Sequence, residues 1–150
     1  MDAVTYPDAK IIRFITENMI PLRIAFDAQP LSTDFNIKWT PALVTLDPDR
    51  KEHHRTVGFL APEELIPSLL LGMGKSYFET DRFDKALGSL EKLLGEYPES
   101  DSAPEALYLR GVCQYKSTHD PKPLKEAYDQ LKAAHPSSEW TKRAYPYRLL

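Results

Sequence analysis

A single cysteine, Cys113, is all the thiol chemistry that the 150 residues contain. One thiol cannot close an internal disulfide, form a CxxC redox pair or build a cysteine-based zinc cluster within the chain, and it leaves the compartment open. Long apolar runs are missing too. The longest, Leu69 to Met73, falls far short of the roughly 18 to 20 residues that cross a bilayer. Met1 to Thr5 lacks the basic start and apolar stretch of a secretory leader, so a cytoplasmic chain without membrane insertion is expected. Basic excess is absent: residues 1 to 66 hold 7 Lys and Arg against 10 Asp and Glu, residues 67 to 150 hold 12 against 12, and the net charge is -3. No basic patch is offered to a nucleic acid.

Catalytic signatures are missing as well, with no nucleophile elbow, glycine-rich phosphate loop or HExxH pattern. Gly72-Met73-Gly74-Lys75-Ser76 looks like a fragment of a phosphate loop, but it lacks that motif's first glycine and preceding strand and reads as helix packing. His53 and His54 are neighbours on a strand, which sends them to opposite faces, exposed by default; His119 and His135 lie in loops without a third ligand. Neither a metal nor a cofactor is expected. What is present is a composition of 42% hydrophobic and 27% charged residues, enough to bury a core, with thirteen scattered prolines as punctuation.

Along the first half, Asp8 caps a helix with Ile11, Ile12, Phe14 and Ile15 at helical spacing, ending near Asn18. Ile20, Leu22, Ile24 and Phe26 then alternate with Pro21, Arg23 and Ala25, the period of a strand with one face more buried. A loop or short helix covers Asp27 to Asn36. Ala42 to Leu46 is almost wholly apolar, as in a strand covered on both faces. Asp47-Pro48-Asp49-Arg50 turns the chain into a second strand over His53 to Val57, which Gly58 ends, and Pro62-Glu63-Glu64 opens a helix.

Thr40-Pro41 entering an apolar strand, the Leu46-Asp47-Pro48-Asp49 hairpin and Val57-Gly58-Phe59, in that order, resemble the thioredoxin superfamily over roughly residues 1 to 70. The resemblance implies a cis Pro41 and a peptide-contacting loop of Trp39, Thr40 and Pro41. It also implies a first strand and a CxxC helix that should precede Met1; neither is present. That strand would stand between Ile20–Phe26 and Ala42–Leu46, so the sheet is incomplete and its open edges are suited to pairing with another chain. A late start, at an internal methionine of a longer protein, is the favoured reading; a sheet that closes up or borrows a strand is the other.

From Leu70 onward the period is helical. Leu70, Gly74, Tyr77, Phe83, Ala86, Leu90, Leu93 and Pro98 carry the spacing of a tetratricopeptide repeat and resemble that family. A second copy starts at Leu107, with Gly111 and Ala127 as its small residues and Leu124 and Leu131 as fillers. Pro98 to Tyr108 resembles the linkers of bacterial envelope and scaffold repeat proteins. A last short helix is expected from Ser138 to Tyr145, stopped by Pro146. The fold class is thus α/β plus all-α: an incomplete thioredoxin-like sheet over 1 to 66, then two helical hairpins and a terminal helix over 67 to 150. Two repeats are too few to stand alone, which predicts a rigid junction with Pro67 kinking or restarting the helix.

Leu71, Lys75 and Phe78, and likewise Tyr108, Val112 and Tyr115, share one face of each repeat's first helix. These residues line either a peptide groove or a contact with the α/β half or the terminal helix. Cys113 reads as a buried, inert thiol. The function that follows is a non-catalytic module for a protein or peptide partner, with self-association through the open sheet edge. The alternative is the C-terminal part of a thiol-disulfide oxidoreductase whose CxxC lies upstream of Met1.

Overall fold

The computed structural model describes all 150 residues. Helix α1, Ala9–Asn18, starts where expected: the Asp8 carboxylate accepts from the Lys10 and Ile11 N–H groups at 2.8 and 3.1 Å. Its Ile11 and Phe14 are buried and its opposite side is solvated. A short α2, Leu31–Asp34, sits in the following loop, and the Thr40–Pro41 peptide is cis, as is Gln29–Pro30.

Strands β1, Ala42–Leu46, and β2, Glu52–Val57, form a two-stranded antiparallel sheet. The Asp47 side chain accepts the Lys51 N–H at 2.9 Å, and Arg50 takes a left-handed conformation that closes the turn. Gly58, at φ 104°, ends β2 in a conformation that residues with a Cβ rarely adopt.

Helix α3, Pro62–Glu79, has proline at its first position and Glu63 and Glu64 in its first turn. It runs through Pro67 without restarting, so the two halves of the chain meet inside one helix. After it come α4, Phe83–Glu96, α5, Ala103–Thr118, α6, Lys122–Ala134, and α7, Glu139–Ala144. The α3/α4 and α5/α6 pairs form two stacked hairpins. Close approach explains their small residues. A Cβ on Gly74 would fall 2.9 Å from Leu90 Cδ2, and one on Gly111 would fall 2.7 Å from the Ala127 Cβ and 2.9 Å from the Pro123 carbonyl oxygen.

The main core joins Ile11 and Phe14 of α1 to Leu65, Ile66, Leu69, Leu70 and Leu71 of α3, Leu90 and Leu93 of α4, and Ala103 and Ala106 of α5. A second cluster, Leu107, Tyr128, Leu131 and Ala144, lies beneath α7. The sheet seats on α3 at Gly72, where a Cβ would come within 2.6 Å of Thr45 Oγ1 and 3.3 Å of His54 Cβ. Gly72 therefore serves packing, as expected, but against the hairpin rather than a helix. The Thr5 hydroxyl, wholly buried, donates to the Leu60 carbonyl at 2.7 Å and ties the N-terminal turns to the chain leaving β2.

Three expectations are corrected. Ile20–Phe26 forms no strand: no backbone bond joins it to β1 or β2, and Ile20 is 96% exposed. Strand β1 is half-buried rather than covered on both faces, because only α3 packs against this sheet. His53 is buried, not exposed, and His54 half-buried. The register slips between Thr45 and Leu46, leaving His53 as an extra residue, and this bulge turns both rings toward α3. The last α-helix ends at Ala144, just before Pro146 as expected, and a 3-10 turn over Tyr145–Leu149 follows it.

Candidate functional site

Three helices, α3, α5 and α7, present successive faces to one hollow of about 260 Å³, lined by Lys75, Phe78, Glu79, Glu105, Tyr108, Leu109 and Trp140. Helical spacing puts Lys75, Phe78 and Glu79 on one side of α3, and Glu105, Tyr108 and Leu109 on one side of α5. Lys75 Nζ donates to Glu105 Oε1 at 2.8 Å, bridging the two repeats across the floor. Both groups are mostly shielded, so the pair is screened less than one on open surface. The walls are aromatic. Tyr108 packs on Trp140 with centroids 5.2 Å apart and on Tyr147 at 6.0 Å, and the two tyrosine hydroxyls lie 3.2 Å apart. Burial and that hydrogen bond push the Tyr147 pKa up to about 12.

Of the residues expected on this face, Lys75, Phe78 and Tyr108 line the hollow together. Leu71 does not: it is 2% exposed and belongs to the core, because α3 is covered on that side as well. Val112 is half-buried and Tyr115 lies at the outer end of α5, beside His119. Trp140, Glu79 and Glu105 escaped the sequence reading. Trp140 sits in a short helix directly after Ser138, which caps it by accepting the Trp140 N–H at 3.2 Å, and that cap was the available signal.

At the rim, the sheet brings its own charged cluster. The His53 ring lies between two carboxylates, Nε2 at 2.8 Å from Asp47 Oδ2 and Nδ1 at 2.9 Å from Glu79 Oε2. Both ring nitrogens thus face carboxylate oxygens. The carboxylates sit on opposite sides of the ring and cannot converge on one ion. Hydrogen bonds from His53 and the Lys51 backbone hold the Asp47 carboxyl below the usual range. Against burial, which would raise it, His53 and Lys51 hold Glu79 low as well. His54 Nε2 lies 3.3 Å from the Ser68 hydroxyl; burial, then the Lys75 charge, pushes its pKa down.

Residues 68–100 and 105–138 each match the family model of the tetratricopeptide repeat. The chain carries two of these repeats. They coincide with the α3/α4 and α5/α6 hairpins, and the hollow is the face formed by their first helices together with α7. Repeats of this kind act through protein partners. No curated protein matches the chain. No helix is long and apolar enough to cross a membrane.

The other expected loop, Trp39, Thr40 and Pro41, is not among the residues that line this hollow. Trp39, 71% exposed, and Thr40 line a second hollow of about 290 Å³ with Phe26 and Lys38, while Pro41 is half-buried at the start of β1. Cys113 is fully buried, its thiol donating to the Phe83 carbonyl at 3.5 Å. Burial, then the Asp84 charge, pushes its pKa up to about 11, which suppresses the nucleophilic thiolate.

Proposed function

We propose that this chain is a protein-interaction module whose repeat face holds a short segment of a partner protein, with one large apolar side chain of that segment seated among Phe78, Tyr108 and Trp140. The observation that carries the reading is the hollow itself. Three aromatic residues from three separate helices meet at a cavity sized for a side chain, with the Lys75–Glu105 pair on its floor to meet peptide N–H and C=O groups. Aromatic anchors around a shielded polar pair are the composition expected of an energetic centre in an interface.

Panning a random peptide library on the whole chain tests this. Enriched peptides should carry an aromatic or leucine anchor and lose at least tenfold in affinity to a Tyr108→Ala/Trp140→Ala variant of unchanged helicity. Peptides that bind that variant equally well would place the interaction elsewhere.

The N-terminal half is proposed to be thioredoxin-like in its layout of helix, extended segment, hairpin and helix, with Trp39, Thr40 and Pro41 as a second peptide contact. The exposed Trp39 beside Phe26 supports that contact. Alanine at Trp39 should then weaken partner capture without altering stability.

A further inference from the structure

The hollow on the repeat face carries a surplus of acid. Its lining holds one cation, Lys75, and two carboxylates, Glu79 and Glu105. Lys75 is committed, because its Nζ donates to Glu105 Oε1 at 2.8 Å. Glu79 is engaged through one oxygen only: His53 Nδ1 at 2.9 Å and Lys51 Nζ at 3.3 Å both meet Oε2, and no donor meets Oε1. The Glu79 side chain is 38% exposed, so the carboxylate is open to what enters. It also closes α3, an 18-residue helix whose carbonyl end adds partial negative charge at the rim, with no Lys or Arg in the last turn to offset it. On the α7 side, the Arg143 guanidinium already lies over the Trp140 ring, 4.7 Å from its centroid, with Glu139 as its partner at 3.0 Å. The cations around the hollow are thus paired, and the unused capacity is acceptor oxygen and aromatic face.

Resting on the reading of this hollow as a peptide site, we infer that the segment it takes is basic, with an Arg or Lys next to the apolar anchor whose charged head pairs with Glu79. The charge balance selects this occupant. An incoming cation gains a charge-assisted bond to a carboxylate with an unused oxygen, at the negative end of a helix and in a hollow walled by Phe78, Tyr108 and Trp140. An acidic segment, or the carboxylate that ends a chain, would find only Lys75 to bind, would have to take it from Glu105, and would be repelled by both glutamates.

Panning a random peptide library on the whole chain, followed by anisotropy titration of end-capped synthetic peptides, tests it. Peptides that lose affinity to Tyr108→Ala/Trp140→Ala should carry Arg or Lys within about two positions of the anchor. Replacing that residue by Gln should weaken binding about fivefold or more on the native chain and under about twofold on Glu79→Gln, whose amide oxygen can still accept from the hairpin. Glu79→Lys should reverse the preference toward Asp or Glu beside the anchor, which a mere loosening of the hairpin would not do. Anchor-dependent peptides with neutral or acidic neighbours, or a basic residue whose loss costs Glu79→Gln as much as the native chain, would overturn the basic segment and leave the peptide site standing. Peptides indifferent to Tyr108 and Trp140, or no enrichment at all, would remove both.

Discussion

The first sixty residues and the ninety that follow are built by different means. Among residues 1–60 only Thr5, Ile11, Phe14 and His53 are buried; the other buried residues of the chain all lie from Leu65 onward. The repeats are held by apolar contact between helices, with glycine and alanine letting backbones approach. The N-terminal part is held at points: two side chains of α1 on the core, the Thr5 bond to Leu60, the seat at Gly72, and the His53 cluster. Its apolar side chains from Ile20 to Phe59 are largely in water. A segment anchored at a few points is therefore expected to open before the repeats.

Breaking that contrast begins in the repeats. Leu93→Ala, at a wholly buried site between α3 and α4, is expected to cost about 3 kcal/mol or more and to lower the urea midpoint accordingly. His53→Ala removes the shared hydrogen-bond partner of Asp47 and Glu79 and should loosen the hairpin locally, detected as faster amide exchange in β1 and β2 while the repeats stay protected. An equal loss of protection in α5 and α6 would mean the two regions are one cooperative unit.

The glycines sharpen the same comparison. Gly111→Ala drives a methyl into the Ala127 side chain and the Pro123 backbone and should destabilise by about 1 to 3 kcal/mol. Gly88→Ala, on open helix surface, should stabilise by up to about 1 kcal/mol through helix propensity alone. Thermal melts of the pair should move in opposite directions.

Acid separates His54 from the Asp47 and Glu79 carboxylates. His54 has its folded pKa below the unfolded value of about 6.5, so its contribution is present above that pH and fades as pH falls toward the folded value. Asp47 and Glu79, also depressed, lose theirs lower, below about pH 4, as each carboxylate protonates. His54→Gln should flatten the stability curve just below about pH 6.5 and leave the lower limb in place. The smallest effect belongs to Ile20→Ser, which at high dilution should change stability by under about 0.5 kcal/mol.

The repeats were legible because their signal is local. Gly74 and Ala86, then Gly111 and Ala127, stand as small residues on the two helices of each hairpin, and the structure places each pair at its helix crossing. The hairpin was legible from Asp47-Pro48-Asp49 and Gly58 for the same reason. Residues 20–26 carried an equally clear period, yet alternation states only a capacity to pair. Strand pairing needs a neighbour in space, and within this chain none is set beside it. Half of the site was readable as a helix face; the other half, Trp140 and the rim at Glu79, needed α7 and the hairpin to be brought to that face.

Sequence alone determined the repeat helices, the Asp8 cap, the small-residue crossings and the turn, because each depends on residues close to one another along the chain. Only the tertiary structure decided that Leu71 faces the core, that a one-residue bulge swings His53 between Asp47 and Glu79, and that three aromatic side chains from three helices share one hollow. Those outcomes depend on which surfaces meet, and a one-residue slip in a strand or one extra covering element redirects a side chain without leaving any local trace.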